Sequence, residues 1–227
     1  MRRDGYLLTL FGVWWLLWSL LAISPVDRDT WWLENVLLLG SVATLFFTRR
    51  SLPLSTPSYT LLFLFLCLHT VGAHYTYSLV PFGDAFNEAF GWQRNHFDRF
   101  VHLSYGLALA LPLRELLMLH AGVRGFWSYF LPIDLVASSS LLYELVEWAA
   151  AIVYGGDLGA AFLGTQGDEW DAHRDMALAG AGAVIAIGIV MIGNRLRGKD
   201  LTLEWLSRLP KHPSASESPP GSGEIGP

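Results

Sequence analysis

Ionisable residues in this chain collect at the ends of long apolar runs, in pairs that share one helical face. The pairs are Asp98 with His102, Glu144 with Glu147, and Asp171 with Asp175. Residues three or four apart on a helix point the same way, so each pair presents two side chains to one neighbour. A charged residue at the centre of a membrane helix costs about 2.5–3.5 kcal/mol on insertion scales, and such residues usually mark functional sites. We therefore expect one pocket that contains all three pairs.

Two chemistries suit this pocket. Imidazole and carboxylate groups from bundle helices can bind zinc, manganese or iron. In that case His74 and His102 are the predicted nitrogen ligands, with Asp171 and Asp175 supplying oxygen. Without a metal, the carboxyl groups would act as a proton relay or a general acid–base set, with Glu144 as the preferred base. The sequence leaves both alternatives open.

The predicted site has an acidic centre and a polar rim. The centre is a predicted catalytic set of five carboxyl groups: Asp98, Glu144, Glu147, Asp171 and Asp175. The rim holds His74 and three predicted substrate-binding residues: His96, Gln166 and His173. No Gly-x-Ser-x-Gly element accompanies the serines at 138–140, so a serine nucleophile is not expected.

The elements that must position these residues are membrane helices. The chain is 52% hydrophobic and only 15% charged, and an apolar run of about 20 residues spans a bilayer. The predicted fold is an all-α polytopic membrane helix bundle of about six transmembrane helices. The apolar blocks are 5–23, 31–48, 58–77, 98–119, 126–151 and 174–195. Residues 1–197 form the predicted membrane domain, and 198–227 a cytoplasmic, mostly disordered tail that begins with a brief interfacial helix at 200–209.

Basic residues lie at alternate ends of the apolar blocks, which predicts that both termini are cytoplasmic. The pairs Arg49 with Arg50, and Arg195 with Arg197, are examples, and Arg114 is predicted to lie at the end of a block on the same side. The acidic connections and the pocket then face the cell envelope. Cys67 is the only cysteine, which excludes an intramolecular disulfide and a cysteine-based zinc site. No basic motif for nucleic acid is present.

Three classes of function fit this pattern. The first is an envelope-facing membrane enzyme that acts on a lipid or lipid-linked substrate, because the pocket lies where an amphiphile presents its head group. The second is a proton-coupled transporter or permease that uses the acidic residues as its relay. The third is an accessory or structural membrane protein. Membrane lipids are the expected partners in each case, and the sequence does not determine an oligomeric state.

The polar segments resemble those of the YjdF-type family of bacterial inner-membrane proteins. The resemblance runs from about His69 to Gly182. It is carried by HYTY at 74–77, PFG at 81–83, RNHFDRFVH at 94–102, YELVEW at 143–148, GGDLG at 155–159 and LGTQGD at 163–168, followed by Asp171 and Asp175. It implies a multi-pass inner-membrane protein and supplies no activity or catalytic residues.

The order of the acidic motifs is also similar to that in VanZ-like membrane domains, which are associated with glycopeptide-antibiotic resistance. The similarity rests on Asp98-Arg99-x-x-His102, Glu144-x-x-Glu147 and Asp171-x-x-x-Asp175. Glu147 stands where glutamine is expected in that family. The similarity implies a role in the cell envelope.

Overall fold

The chain folds as a bundle of helices. A computed structural model describes residues 3–156, 159 and 163–209, and these residues contain no strand. The helices are α1 (Arg3–Leu21), α2 (Arg28–Thr48), α3 (Thr56–His74), α4 (Pro81–Phe90), α5 (Phe97–His120), α6 (Trp127–Tyr154), α7 (Asp171–Arg197) and α8 (Leu201–Ser207). Most of the predicted tail, 210–227, lies outside the described residues.

Six of the described helices are long and apolar enough to cross a membrane, which confirms the predicted all-α membrane bundle. These are α1, α2, α3, α5, α6 and α7. The predicted third block extends three residues too far. The chain turns after His74 because Thr76 and Tyr77 adopt left-handed conformations with φ of 51° and 54°. The last block was predicted to start at 174, but α7 begins at Asp171 because its first turn is polar.

The bundle has two ends, which we name by their connections. The site end carries the connections 22–27, 75–96 and 155–170, and the opposite end carries 49–55, 121–126 and 198–200. Helices α5 and α7 both begin at the site end, so they run parallel to each other. Their first turns, which hold the predicted site residues, therefore lie at the same level.

The backbones of α5 and α7 touch at two glycines. A Cβ atom on Gly106 would lie 1.9 Å from the carbonyl oxygen of Ala179, and a Cβ on Gly182 would lie 2.2 Å from that of Leu103. Ala179 and Ala183, on the same face of α7, are completely buried. Small residues allow such close approach, which is how membrane helices gain packing energy without a hydrophobic driving force. The contact fixes the register of α5 against α7.

A buried arginine anchors α8 at the opposite end. Arg114 is predicted to lie at the cytoplasmic end of an apolar block; the structure places it inside α5, where it is fully buried. Its Nη2 donates to Oδ2 of Asp200 at 2.5 Å, and its Nη1 donates to the Thr202 hydroxyl at 2.5 Å. The guanidinium also lies 4.4 Å from the ring centre of Tyr129. The short helix predicted at 200–209 is therefore α8, docked on α5 by a charge pair.

The contact between α5 and α7 can be tested with one methyl group. We expect Gly182→Ala to lower the free energy of unfolding in detergent by about 1–3 kcal/mol, because the added carbon cannot fit without moving the helices. Gly180→Ala on the same helix is the matched control, since its Cβ meets no atom within 4 Å. Thermal unfolding monitored by size-exclusion chromatography would measure both. Equal stability of the two variants would contradict the close contact.

The anchoring of α8 predicts a second effect. Asp200→Asn should cost about 2–5 kcal/mol of docking free energy, because it leaves the Arg114 charge buried without a countercharge. Glu204→Gln is the control, since Glu204 pairs with the exposed residues Lys199 and Arg208 and such pairs contribute little. Faster hydrogen exchange of residues 201–207 in Asp200→Asn alone is the expected result. Equal exchange in both variants would exclude the anchor.

The same pair makes the docking of α8 depend on pH. Partial burial by itself would raise the pKa of Asp200, but hydrogen bonding and charge attraction from Arg114 outweigh it and lower the pKa below its ordinary value of 3.8. A carboxyl group whose pKa is lower in the folded protein than in the unfolded chain stabilises the folded state at pH values above the unfolded pKa. This stabilisation is lost as the pH falls through the pKa of the folded state. Exchange in the wild-type helix should thus be slow at neutral pH and rise below about pH 3.8.

Candidate functional site

Three predicted site residues meet where α5 and α7 begin. One ligand atom each from Asp98, His102 and Asp175 lies within 4.8 Å of the other two, and Nε2 of His102 is 3.6 Å from Oδ1 of Asp98. Asp175 is only 2% exposed, and its Oδ1 has no hydrogen-bond partner among the described residues. We call Asp98, His102 and Asp175 the acidic trio.

Helix α6 adds two carboxyl groups beside the trio. Oε1 of Glu144 lies 3.8 Å from Nε2 of His102 and has no hydrogen bond within the described part of the chain. Glu147, one turn nearer the site end, lines the same cavity as Asp98 and His102. Three helices therefore converge as the spacing of these residues predicts.

Asp171, predicted as both a catalytic residue and a metal ligand, lies outside the trio. It is buried, and its Oδ1 is 2.5 Å from Nη2 of Arg94. Arg99 pairs with Asp168 at 2.5 Å, and Arg174 also contacts Asp168. These arginines and aspartates tie the connection before α7 to the start of α5.

The arginines also set the ionisation of Asp168. Desolvation would raise the pKa of this carboxyl group, but the N–H group of Trp170 and the charges of Arg174 and Arg99 outweigh it and lower the pKa below its ordinary value. Asp168 therefore stays ionised at neutral pH. Its negative charge offsets the arginines that surround it.

Two predicted substrate-binding residues form contacts within the protein. The side-chain amide of Gln166 accepts a hydrogen bond from the backbone N–H of Asn95 and donates one to its carbonyl, both at 3.0 Å. His96 lies 3.1 Å from Arg99 and packs edge-on against Trp92. Desolvation and the charges of the nearby arginines lower the pKa of His96, so it is neutral near pH 7. Gln166 and His96 thus border the arginines rather than the acidic trio.

The other two rim histidines also lie apart from the trio. His173 is exposed at the start of α7, 5.3 Å from the ring of Trp170. Nδ1 of His74 is 2.7 Å from the carbonyl oxygen of Leu21, and it must donate because that oxygen can only accept. This bond joins the ends of α3 and α1. His74 is not among the described residues that cluster as candidate metal ligands.

Glu34, which helical spacing does not indicate, lines the same cavity as Asp98 and His102. It is 5% exposed on α2, and the hydroxyl of Tyr143 donates to its Oε2 at 3.2 Å. The bond links α2 to α6. The only signal in the sequence is a glutamate at the fourth position of the apolar block 31–48, and it has no acidic or histidine partner at helical spacing.

His69 is held by two hydrogen bonds that fix its tautomer. Nε2 lies 3.2 Å from the carbonyl oxygen of Glu34, which can only accept, so Nε2 carries the proton. Nδ1 then accepts from the hydroxyl of Tyr77 at 2.5 Å. The Tyr77 ring packs on Gly72, where a Cβ would lie 2.5 Å from it. Both nitrogens are used, so His69 is a structural residue and offers no free nitrogen to a metal.

A cavity of about 650 Å³ extends from these groups into the bundle. Its polar end contains Glu34, Asp98, His102 and Glu147 with the two tyrosines, Tyr77 and Tyr143. Its remaining length is mainly apolar and is lined by α2, α3 and α5, including Leu37, Leu45, Leu62, Phe65 and Leu109. The cavity is therefore amphipathic along its length.

The acidic trio fits the donor set of a divalent metal site. One imidazole nitrogen and two carboxylate oxygens suit zinc, manganese or iron. Bonds of about 2 Å to one ion would bring ligand atoms about 3–4 Å apart, so the separations of up to 4.8 Å require only a small contraction. Glu144 lies close enough to join the same site or to face a bound water.

Comparison with known proteins identifies the family. The family model described as "Predicted membrane protein (DUF2238)" matches residues 6–195. The inner membrane protein YjdF of Escherichia coli (strain K12) is 40% identical over 167 residues, which cover 73% of this chain and 79% of that protein. No solved structure matches the chain. With six helices of membrane-spanning length, these matches confirm the YjdF-type resemblance: the chain is a multi-pass inner-membrane protein that belongs to the DUF2238 family.

Proposed function

We propose that the protein is a metal-dependent membrane hydrolase that acts on a lipid or lipid-linked substrate. The observation that carries the proposal is the acidic trio of Asp98, His102 and Asp175 beside an amphipathic cavity between membrane helices. Two members of the trio are one helical turn apart on α5, and the third comes from α7. The donor set and the shape of the cavity support an amphiphilic substrate with its reactive bond at the polar end.

The charge balance supports a bound cation. Five carboxyl groups at this end have no lysine or arginine within ion-pair distance among the described residues: Glu34, Asp98, Glu144, Glu147 and Asp175. Grouped carboxylates in a medium of low dielectric constant repel one another strongly. A divalent ion at the trio would offset two of these charges. The nearby arginines Arg94 and Arg99 form their direct ion pairs with Asp171 and Asp168 instead.

The residues would have separate roles in hydrolysis. Asp98, His102 and Asp175 would hold the ion, whose chemistry is to lower the pKa of a bound water. Glu144, 3.8 Å from His102, would act as the general base that takes a proton from the attacking water. The bond to the leaving group breaks, and the proton passes from Glu144 to the leaving oxygen. Tyr143, held by Glu34, lies within the same polar end and positions the substrate.

A proton-coupled transporter has less support. Transport requires ionisable groups that continue toward the opposite end. Among the described residues, the buried charges there are Arg114, which is paired with Asp200, and Glu115, which accepts hydrogen bonds from the N–H and hydroxyl of Ser55. Both are held in place by the packing of α8 and the start of α3. They therefore do not form a relay with the acidic trio.

Metal content tests the proposal directly. We expect the purified protein to contain about one divalent ion per chain, and Asp175→Asn to lose it. Loss of a group that merely supports a ligand already costs about 10–100-fold in metal affinity, so loss of a ligand should cost at least as much. His173→Ala is the matched control, because this exposed histidine lies two residues away on the same helix. Equal metal content in the two variants, or none in the wild type, would refute the metal centre.

The role of Glu144 gives a second prediction. Glu144→Gln should retain the metal yet lower turnover about 10²–10⁴-fold, the usual contribution of a general base. The readout is lipid profiling of a deletion strain complemented with each variant. The lipid that accumulates in the deletion strain should return to its normal level with wild type and with Glu88→Gln, a change in the loop helix α4, but not with Glu144→Gln. Full complementation by Glu144→Gln would remove Glu144 from the mechanism.

A further inference from the structure

The apolar part of the cavity is bounded on one side by a face of α2. This helix packs along α3 and is joined to α6 by the hydrogen bond between Glu34 and Tyr143. Val36 and Leu37 line the cavity although they are 65% and 47% exposed. Exposed residues in the cavity wall indicate that the cavity opens to the surface beside them. The opening therefore lies on the side of the bundle that faces the bilayer.

Gly40 is an open position in this wall. It lines the cavity, and a Cβ placed on it would meet no atom within 4 Å. Ser41 and Thr44 continue the same wall toward the opposite end. From Glu34 to Thr44 the wall runs about 15 Å along the helix, given the rise of about 1.5 Å per residue. This length is about half the hydrocarbon thickness of a bilayer.

We propose that the cavity binds a hydrocarbon chain of a membrane lipid, which enters sideways between α2 and α6. The chain lies along Leu37, Gly40 and Thr44, and the head group reaches the acidic trio. This inference adds a chain-binding site to the proposed function and rests on it only for the reaction at the head group. Binding of the chain itself requires neither the metal nor Glu144.

The size and polarity of the cavity favour a chain over other occupants. The cavity volume of about 650 Å³ lies within the range of about 300–1,000 Å³ that is typical of sites for small ligands. A soluble ligand would leave the apolar length unfilled. A bilayer lipid matches both the lateral opening and the change from apolar to polar along the cavity.

The test uses a phosphatidylethanolamine with a photoactivatable group on one acyl chain, presented to the full-length protein in detergent micelles. Gly40→Phe should fill the chain site without a backbone clash and lower the labelling of α2 and α5 peptides about tenfold, because the space for the ligand is lost. Ala43→Phe is the matched control, since Ala43 is exposed on the same helix and does not line the cavity. Lysophosphatidylethanolamine should compete for labelling, and glycerophosphoethanolamine, which has no chain, should not.

The outcomes separate the chain site from the metal site. Reduced labelling in Gly40→Phe, with metal content and thermal stability equal to those of Ala43→Phe, supports the chain site. Labelling that persists in Gly40→Phe, or that the chain-free head group abolishes, overturns it whatever the metal content. Cross-links that join two protein chains through α2 would instead assign the opening to a second copy and also overturn it.

If Gly40→Phe unfolds, Ser41→Leu on the same wall gives the same comparison. A protein that labels as expected but contains no metal would retain the chain site and lose the proposed hydrolase.

Discussion

The direct contact between the backbones of α5 and α7 is the constraint on which the site depends. Gly106 and Gly182 leave no room for a side chain between the helices, so the two helices cannot slide or rotate without a clash. Because α5 and α7 run parallel, this contact also brings their polar first turns together. Asp98 and His102 therefore lie at the same level along the bundle as Asp175. In lipid, where hydrophobicity does not drive association, such steric fit is the main source of specificity.

Among the described residues, charged residues are paired on one side of the polar end of the cavity, and the carboxyl groups on the other side have no arginine or lysine within ion-pair distance. Toward the connections, Arg94, Arg99 and Arg174 neutralise Asp168 and Asp171 and fasten the chain segment before α7. Toward the bundle interior, carboxyl groups lie close together with a single histidine. The first arrangement stabilises the fold, because each of these arginines and aspartates has an ion-pair partner. The second is costly for folding and is the kind of arrangement that function maintains.

Helical spacing was sufficient to predict much of the site. Asp98, His102, Glu144 and Asp175 come together as the i, i+3 and i, i+4 pattern indicates, since that pattern depends only on local geometry. Glu34 could not be found in this way because it acts alone on its helix. Its proximity to Tyr143 is created by tertiary packing across 109 residues of chain. The hydrogen bonds of Gln166 and the carbonyl contact of His74 are likewise long-range and have no local signature.

The six spans followed from hydropathy, whereas the positions of single charges did not. The distribution of basic residues places Arg114 at the end of a membrane segment, and only the docking of α8 provides the partner that allows it to be buried.

The pair between Arg114 and Asp200 has a consequence for biogenesis. The two residues are 86 positions apart, and two complete membrane helices are synthesised between them. During translation α5 is synthesised before its countercharge exists, so the buried ion pair can form only after α7 and Asp200 have been synthesised. Completion of the fold therefore depends on Asp200, which follows the last membrane helix of the described residues. A polypeptide that stalls or is cut before Asp200 would carry an uncompensated charge in its membrane domain, the type of defect that membrane quality-control proteases can distinguish from a finished protein.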